Sequence, residues 1–303
     1  MLDVSHVPGS NNSTQTFYAN GTTGWQTWQK PRGAKLIQIF CLGGGAGGQG
    51  GGANTAAASA NGGGGGACAG YSRCTYIAQL LPDNLYIQVG IGGAGGAGAL
   101  SSNGSAGSAG GISYVAIAPS TAAVGIIAQS TATTPGPGTG NGVAGAAPTV
   151  WTTTANPFTT YGIQTITNGL AGFSGAVSNP NGIGTTALTA SIVTGGCGGG
   201  SKPANSQTNG GTISITSAIL TTQLSGGIAG GGSGADGLGS MIPFCSTGGS
   251  GGGGNLTGNG GRGGNGYYGS GGAGGGAGMS TGGGRGGNGG KGGDGLVIIT
   301  TIT

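Results

Sequence analysis

The sequence predicts an all-β protein: a β-sandwich or jelly-roll-like core of short strands, with packed polyglycine II helices, long glycine-rich loops and essentially no α-helix. Three observations predict this class. Glycine supplies 84 of the 303 residues and interrupts most windows that could carry the apolar spacing of an α-helix. Short runs rich in β-branched and aromatic residues recur between Gly, Pro, Asn or Ser. Finally, a Gly-Gly-X repeat keeps a strict period of three over 282–295 and passes directly into an apolar run.

Ten short runs are predicted to be strands. Alternate residues from Leu85 to Ile91 are apolar, which is typical of a strand with one buried face. Residues 296–299 are apolar on both faces, which indicates a central strand that is covered on each side. We therefore expect 296–302 to close the sandwich. The predicted strands are 23–28, 34–42, 71–80, 84–91, 111–118, 124–129, 161–167, 186–193, 212–220 and 296–302.

The glycine tracts between these strands are predicted to form packed, extended helices. Polyproline II has three residues per turn and no internal hydrogen bonds, so Gly-Gly-X leaves two of its three edges bare. Bare edges allow neighbouring helices to approach closely and to exchange backbone hydrogen bonds. The third edge is expected to display Arg285, Asn288, Lys291 and Asp294 to solvent or to a partner. The tracts are 43–52, 62–66, 92–98, 195–200, 226–239 and 248–295.

Charge and composition exclude several classes of protein. Eight basic and four acidic residues give a net charge of +4, and no Lys/Arg cluster could follow a phosphate backbone, so we expect no nucleic-acid partner. No window approaches eighteen apolar residues, so we expect no membrane insertion. The first ten residues lack the pattern of a secretory signal. Five cysteines leave at least one unpaired, and we interpret them mainly as small buried residues, with Cys68 and Cys74 as the nearest pair.

The sequence predicts neither an enzyme nor a cofactor or metal site. Its one histidine and four scattered aspartates do not form a recognisable acid–base or nucleophilic set. Two stretches, 231–239 and 289–297, match the calcium-binding nonapeptide G-G-x-G-x-D-x-L-x, which makes Asp236 and Asp294 weak calcium candidates. Calcium in a β-roll needs oxygens from stacked tandem copies, however, and these two lie far apart.

Aromatic residues supply the candidate contact sites. Aromatic rings among small residues can stack on sugars or anchor a partner. The loop aromatics Trp151, Tyr161, Tyr267 and Tyr268 are therefore candidate ligand-binding residues. In "TQTFYAN", Phe17 and Tyr18 are candidate assembly residues, since this stretch could add a strand to a neighbouring subunit.

Three stretches resemble a known family. They are "WQKPRGAKLIQIFCLGGGAGGQGGG" (28–52), "LPDNLYIQVGIGGAGGAG" (81–98) and "GGKGGDGLVIIT" (289–300). In this order they resemble the glycine-rich domain of bacteriophage tail and virion-appendage structural proteins, over roughly 20–118 and 248–303. The long tract also resembles the polyglycine II sandwiches of phage tail-tip adhesins. The resemblance implies a structural or receptor-contacting protein without catalytic residues, whereas 119–245 departs from the family pattern.

These inferences define the expected organisation and function. We expect an N-terminal extension (1–20), a first part of the glycine-rich domain (21–118), a Thr/Ala/Gly-rich insertion (119–245), and a polyglycine II tract with its closing strand (246–303). The expected function is a non-enzymatic virion or extracellular subunit that self-assembles as a fibre, tail appendage or decoration. The alternatives are an adhesin that binds a host-surface glycan or receptor, and a calcium-dependent β-roll.

Overall fold

The computed structural model describes residues 13–21, 24–55, 57–151, 162–175, 192–214, 223–241 and 244–303. In these residues the protein is all-β, as predicted, with three short 3₁₀ helices at Ala78–Leu80, Ala123–Gly125 and Gly140–Gly142. The strands are β1 (Ser13–Tyr18), β2 (Gln26–Gln29), β3 (Leu36–Leu42), β4 (Ala53–Asn54), β5 (Tyr71–Ile77), β6 (Asn84–Gln88), β7 (Tyr114–Ala116), β8 (Ile126–Gln129), β9 (Gly162–Thr167), β10 (Gly239–Met241), β11 (Phe244–Ser246), β12 (Gly278–Met279) and β13 (Leu296–Ile302).

Two antiparallel sheets form the sandwich. One has the strand order β1-β13-β3-β5-β9 and the other β2-β6-β7-β8, and two strand pairs, β10-β11 and β12-β4, lie outside them. Alternate residues of both sheets meet in one apolar cluster, because side chains of a strand alternate between its faces. The jelly-roll-like order of strands remains a prediction. The cluster includes Trp28, Ile37, Ile39, Cys41, Tyr76, Leu85, Ile87, Val115, Ile127, Val297 and Ile299.

The closing strand lies in the centre of its sheet, as its sequence predicts. β13 pairs with β1 on one side and with β3 on the other. Val297 and Ile299 face the sandwich core, whereas Leu296 is buried in a second cluster on the outer face. Each face of this apolar strand is therefore covered by an apolar cluster, one in the sandwich core and one on the outer face of the sheet.

The predicted strands are longer than the observed ones where they lead into other structure. β6 ends at Gln88 and not at residue 91, and β5 ends at Ile77, where a 3₁₀ helix begins. The prediction for 186–193 lies almost wholly outside the described residues. In 212–220, the described part contributes one isolated bridge, between Ile213 and Leu224.

The glycine tracts form one block, with residues 44–52 as its central helix. All nine amides of this helix donate to neighbouring segments, at N···O distances of 2.8–3.0 Å. Every third amide goes to the same neighbour, and the three acceptor segments are 105–111, 287–293 and 61–67. In a helix with three residues per turn, successive amides point in three directions and every third amide points the same way. The tract therefore has the bonding of a polyglycine II helix, as predicted.

The carbonyls of the central helix extend the network to further neighbours. Segments 93–99 and 272–278 each donate three amides to it, and Gly138 donates to Gly47. The central helix is thus bonded to six segments and is wholly buried. Backbone hydrogen bonding thus holds the central helix among its neighbours.

Close packing explains the glycine of the central helix. Gly48 does not take a positive φ, so its backbone alone would accept another residue. A Cβ placed on Gly48 would lie 2.0 Å from the carbonyl oxygen of Ala273, and one on Gly51 would lie 1.9 Å from that of Gly276. Both distances are far inside van der Waals contact. Glycine is needed here for its missing side chain.

One long side chain is accommodated inside the block. Gln49 is 1% exposed, and its Nε2 donates to Gly104 O at 3.0 Å. Its Oε1 accepts from the amides of Gly64 and Gly142, at 3.2 and 3.1 Å. The carboxamide therefore behaves as an additional peptide group that joins three segments.

Candidate functional site

A tight turn places two tyrosines where the glycine block meets the sandwich. The Ser270 amide donates to Tyr267 O at 2.8 Å, and Gly269 has a φ of +71°. A type II turn needs a positive φ at its third position, which glycine supplies without strain. The Ser246 hydroxyl donates to Tyr268 O at 2.6 Å and holds the corner of the turn. Tyr268 consequently projects from a backbone fixed on both sides.

Three tyrosine rings form a cluster at this junction. The Tyr267 and Tyr268 centroids are 4.9 Å apart in an edge-on arrangement, and the Tyr18 ring of β1 lies 5.9 Å from that of Tyr268. Such separations are those of favourable aromatic pairs. Burial raises the pKa of the Tyr268 phenol, and Tyr18, Tyr267 and Asp294 raise it further, so the hydroxyl is neutral at physiological pH.

A shallow pocket of about 280 Å³ lies beside this cluster and is lined by both apolar and polar groups. We call it the tyrosine pocket; its lining includes Asn265, Tyr267, Tyr268, Lys291 and Asp294. The Lys291 ammonium lies 2.9 Å from Asp294 Oδ1, and both side chains are partly exposed. Asp294 Oδ1 also accepts from the Gly92 amide at 2.8 Å. The pocket thus combines aromatic rings with a fixed ion pair.

Asn265 contributes a carboxamide of defined orientation. Its Oδ1 accepts from the Lys291 amide at 2.9 Å and from Arg262 Nη2 at 2.6 Å. Both partners are donors, so the oxygen must be the atom that faces them. The Asn265 amide nitrogen, Nδ2, therefore points the other way.

The glycine block presents a set of polar side chains on one surface, which we call the charged face (Asn259, Arg262, Asn265, Arg285, Asn288, Lys291). Arg285, Asn288 and Lys291 are exposed and Asp294 is partly exposed, which confirms the predicted display. Positions three residues apart on such a helix are separated by about 9 Å. The face is therefore a regular array of side chains on a fixed backbone.

Asparagine and aspartate side chains cap outward-pointing amides on this surface. Asn259 Oδ1 accepts from the Arg285 amide at 2.8 Å, just as Asn265 accepts from Lys291. A capped amide is not available to another extended segment, as at a protected sheet edge. At the capped positions, contact through this face therefore falls to side chains. The further capping pairs are Asp236 with Asn265 N, Asn288 with Gly98 N, and Asp294 with Gly92 N.

The predicted ligand-contact residues differ in their burial. Tyr267 and Tyr268 come together and are half-buried. Trp151 is 9% exposed and packs inside, so its ring leaves little surface for the predicted ligand contact. Tyr161 lies outside the described residues.

The N-terminal candidates lie in the chain's own sheet. The stretch "TQTFYAN" could add a strand to a neighbouring subunit, but β1 pairs with β13 of the same chain. Phe17 packs against the sandwich core, and Tyr18 is 47% exposed and contacts Tyr268. An assembly role of either residue remains a prediction, and it now concerns a strand that is already paired on one side.

Sequence reasoning missed the polar half of the pocket. Lys291 was predicted to lie in a solvent-facing row without a partner row, and Asn265 was not predicted to contribute to a site. The signal was present: Asn259 and Asn265 are six residues apart, and each stands 26 residues before the amide that it caps. Equal offsets of this kind indicate two aligned helices.

The two calcium candidates have other partners. Asp236 Oδ1 accepts from the Asn265 amide, and Asp294 Oδ1 bonds to Gly92 and Lys291. Within the described ranges, no group of three or more His, Cys, Asp or Glu side chains could hold a metal ion. The five cysteines are buried and unpaired, in agreement with their interpretation as small core residues.

A larger hollow, of about 600 Å³, lies beside Lys30. The Lys30 ammonium is engaged there, at 3.2 and 2.7 Å from the carbonyl oxygens of Ala78 and Leu81 and at 3.1 Å from Asp83. The ammonium group therefore stabilises the loop that contains Ala78, Leu81 and Asp83. The tyrosine pocket is therefore the better candidate site, because its rings and polar groups converge on one space.

Comparison of the chain with models of known protein families and with curated proteins found no match. Among the described residues, no helix is long and apolar enough to cross a membrane.

Proposed function

We propose that the chain is a non-enzymatic structural subunit of a virion or other extracellular appendage, in which the glycine block is a rigid support. The observation that carries this proposal is the bonding of the central helix to six segments. Bonds in several directions around one helix resist shear and bending, which suits a load-bearing part.

The five-stranded sheet offers a route to self-assembly. Among the described residues, no strand pairs with the outer edge of β1 or of β9. β9 carries Ile163, which is 76% exposed. Joining β9 of one copy to β1 of the next would extend the sheet by a head-to-tail contact, and such contacts build filaments when they do not close. The capped charged face would then remain on the filament surface.

Electron microscopy of the purified chain at increasing concentration tests the proposal. We expect filaments or rings from the natural chain. Ile163→Lys should abolish them, because an edge lysine opposes strand addition. Val124→Lys is the matched control, since Val124 is also exposed (71%) but lies outside both sheets. Monodisperse single particles at every concentration would contradict self-assembly, and filaments that survive Ile163→Lys would contradict the β9 edge.

A further inference from the structure

We propose that the tyrosine pocket is a binding subsite for one pyranose ring of a neutral saccharide. This inference concerns a recognition function, and it stands or falls independently of self-assembly. It rests on the rings, the polar groups and the charge of the pocket.

The rings supply an apolar wall of the right chemistry. The C–H groups on one face of a pyranose carry a small positive charge and are attracted to the negative face of an aromatic ring. Tyr267 and Tyr268 line the pocket, contact each other edge-on with centroids 4.9 Å apart, and are both partly exposed. They form an open surface and not a closed apolar cavity, which suits a ligand that is polar around its rim.

The polar groups supply donors and acceptors for ring hydroxyls. The Asn265 carboxamide is oriented by two donors on Oδ1, so Nδ2 is presented as a donor. Asp294 receives its two side-chain bonds on Oδ1, which leaves Oδ2 as an acceptor among the described contacts. Lys291 has ammonium protons beyond the one given to Asp294. Adjacent hydroxyls need such a mixture of donors and acceptors.

The charge of the pocket favours a neutral ligand. Lys291 is paired with Asp294 at 2.9 Å. Around Asn265, the positive Arg262 bonds to its side chain and the negative Asp236 bonds to its amide. Two cations and two anions balance, so an anionic sugar would find no net attraction.

The pocket is held in shape by the glycine block. The Gly266 amide donates to Lys291 O at 2.8 Å, and the Gly269 amide donates to Asp294 O at 2.9 Å. The two segments that carry the polar groups are therefore tied to each other. A site fixed before binding loses little conformational entropy when a ligand arrives.

Saturation-transfer NMR and calorimetric titration with the methyl glycosides of glucose, galactose, mannose and N-acetylglucosamine test the proposal. We expect at least one to bind with a Kd in the roughly millimolar range. Asp294→Asn keeps the acceptor for Gly92 but loses the charge, and it should weaken binding about tenfold. Tyr267→Ala, which removes a ring that lines the pocket, should weaken it by a similar factor. Tyr86→Ala, which removes a partly buried tyrosine from the other sheet, is the matched control and should bind as the natural chain does.

Three results would overturn the assignment: no binding of any of the four glycosides, unchanged binding in both pocket variants, or tighter binding of the anionic methyl glycoside of sialic acid, titrated in the same way. Circular dichroism of each variant establishes that it is folded. Microscopy of the same variants separates the two proposals, because pocket variants that still form filaments leave self-assembly intact whatever their binding.

Discussion

Replacing Gly48 by alanine tests whether the glycine block is close-packed. Its Cβ would lie 2.0 Å from Ala273 O, whereas ordinary contact begins near 3.4 Å, so segment 272–278 would have to retreat by about 1.4 Å. The bonds from Gly272 and Gly275 to the central helix are 2.9 Å long and would stretch to about 4.3 Å, which breaks them. Two buried amides left without acceptors cost about 1–3 kcal/mol each, or roughly 2–6 kcal/mol together.

Thermal and denaturant unfolding measure this cost. We expect Gly48→Ala to lower Tm by about 5–12 °C, if the variant folds. Gly140→Ala is the matched control: its Cβ meets no atom of the described residues within 4 Å, and its φ is not positive. This control should be neutral or stabilising by up to about 1 kcal/mol, because alanine restricts the unfolded chain. Equal stability of the two variants would refute the close-packed block.

Three further predictions concern side chains. Gln49→Leu keeps the volume of the side chain but leaves the amides of Gly64 and Gly142 without their acceptor. In denaturant unfolding it should lower the stability of the protein by about 2–5 kcal/mol. Gln15→Leu, on the exposed part of β1, is the control and should be near neutral. Burial raises the pKa of the Cys68 thiol to about 12 and that of Cys74 to about 11, so the folded state holds protons that the unfolded state loses above its pKa of about 9. Stability should then be constant below about pH 8 and fall above pH 9 by about 1.4 kcal/mol per pH unit for each thiol, and Cys68→Ala should fall less steeply. Asn265→Ala uncaps the Lys291 amide at a solvent-accessible site and should lower the free energy of unfolding by about 1 kcal/mol. Arg285→Ala removes no capping acceptor and should change it by less than about 0.5 kcal/mol. An equal loss of stability in both variants would contradict the capping role.

Much of the fold could be predicted from local sequence patterns. The apolar run from Leu296 specifies a central strand through its composition alone. The period of three specifies which side chains of 282–295 face outward, since only the X positions carry them. Both inferences depend on residues that are close in sequence.

Partners distant in sequence were beyond such reasoning. The strand at 13–18 was recognisable, but nothing in its residues distinguishes β13 of the same chain from an edge of another copy. Tyr18 meets Tyr268 only because β13 brings the N-terminal strand beside the end of the glycine block. Trp151 follows a Thr/Ala/Gly-rich stretch that suggests a surface loop, and its burial is a result of tertiary packing.

Amide hydrogen exchange, resolved by residue with NMR, tests the central claim most directly. A polyglycine II block predicts slow exchange for all nine consecutive amides of 44–52. In a disordered glycine tract, the same amides would exchange as fast as those of an unstructured peptide. It also predicts a finer pattern on the surface helix. The capped amides of Arg285 and Lys291 should be protected, whereas that of Asn288, which has no acceptor among the described residues, should exchange rapidly. Uniformly fast exchange across 44–52 would contradict the account.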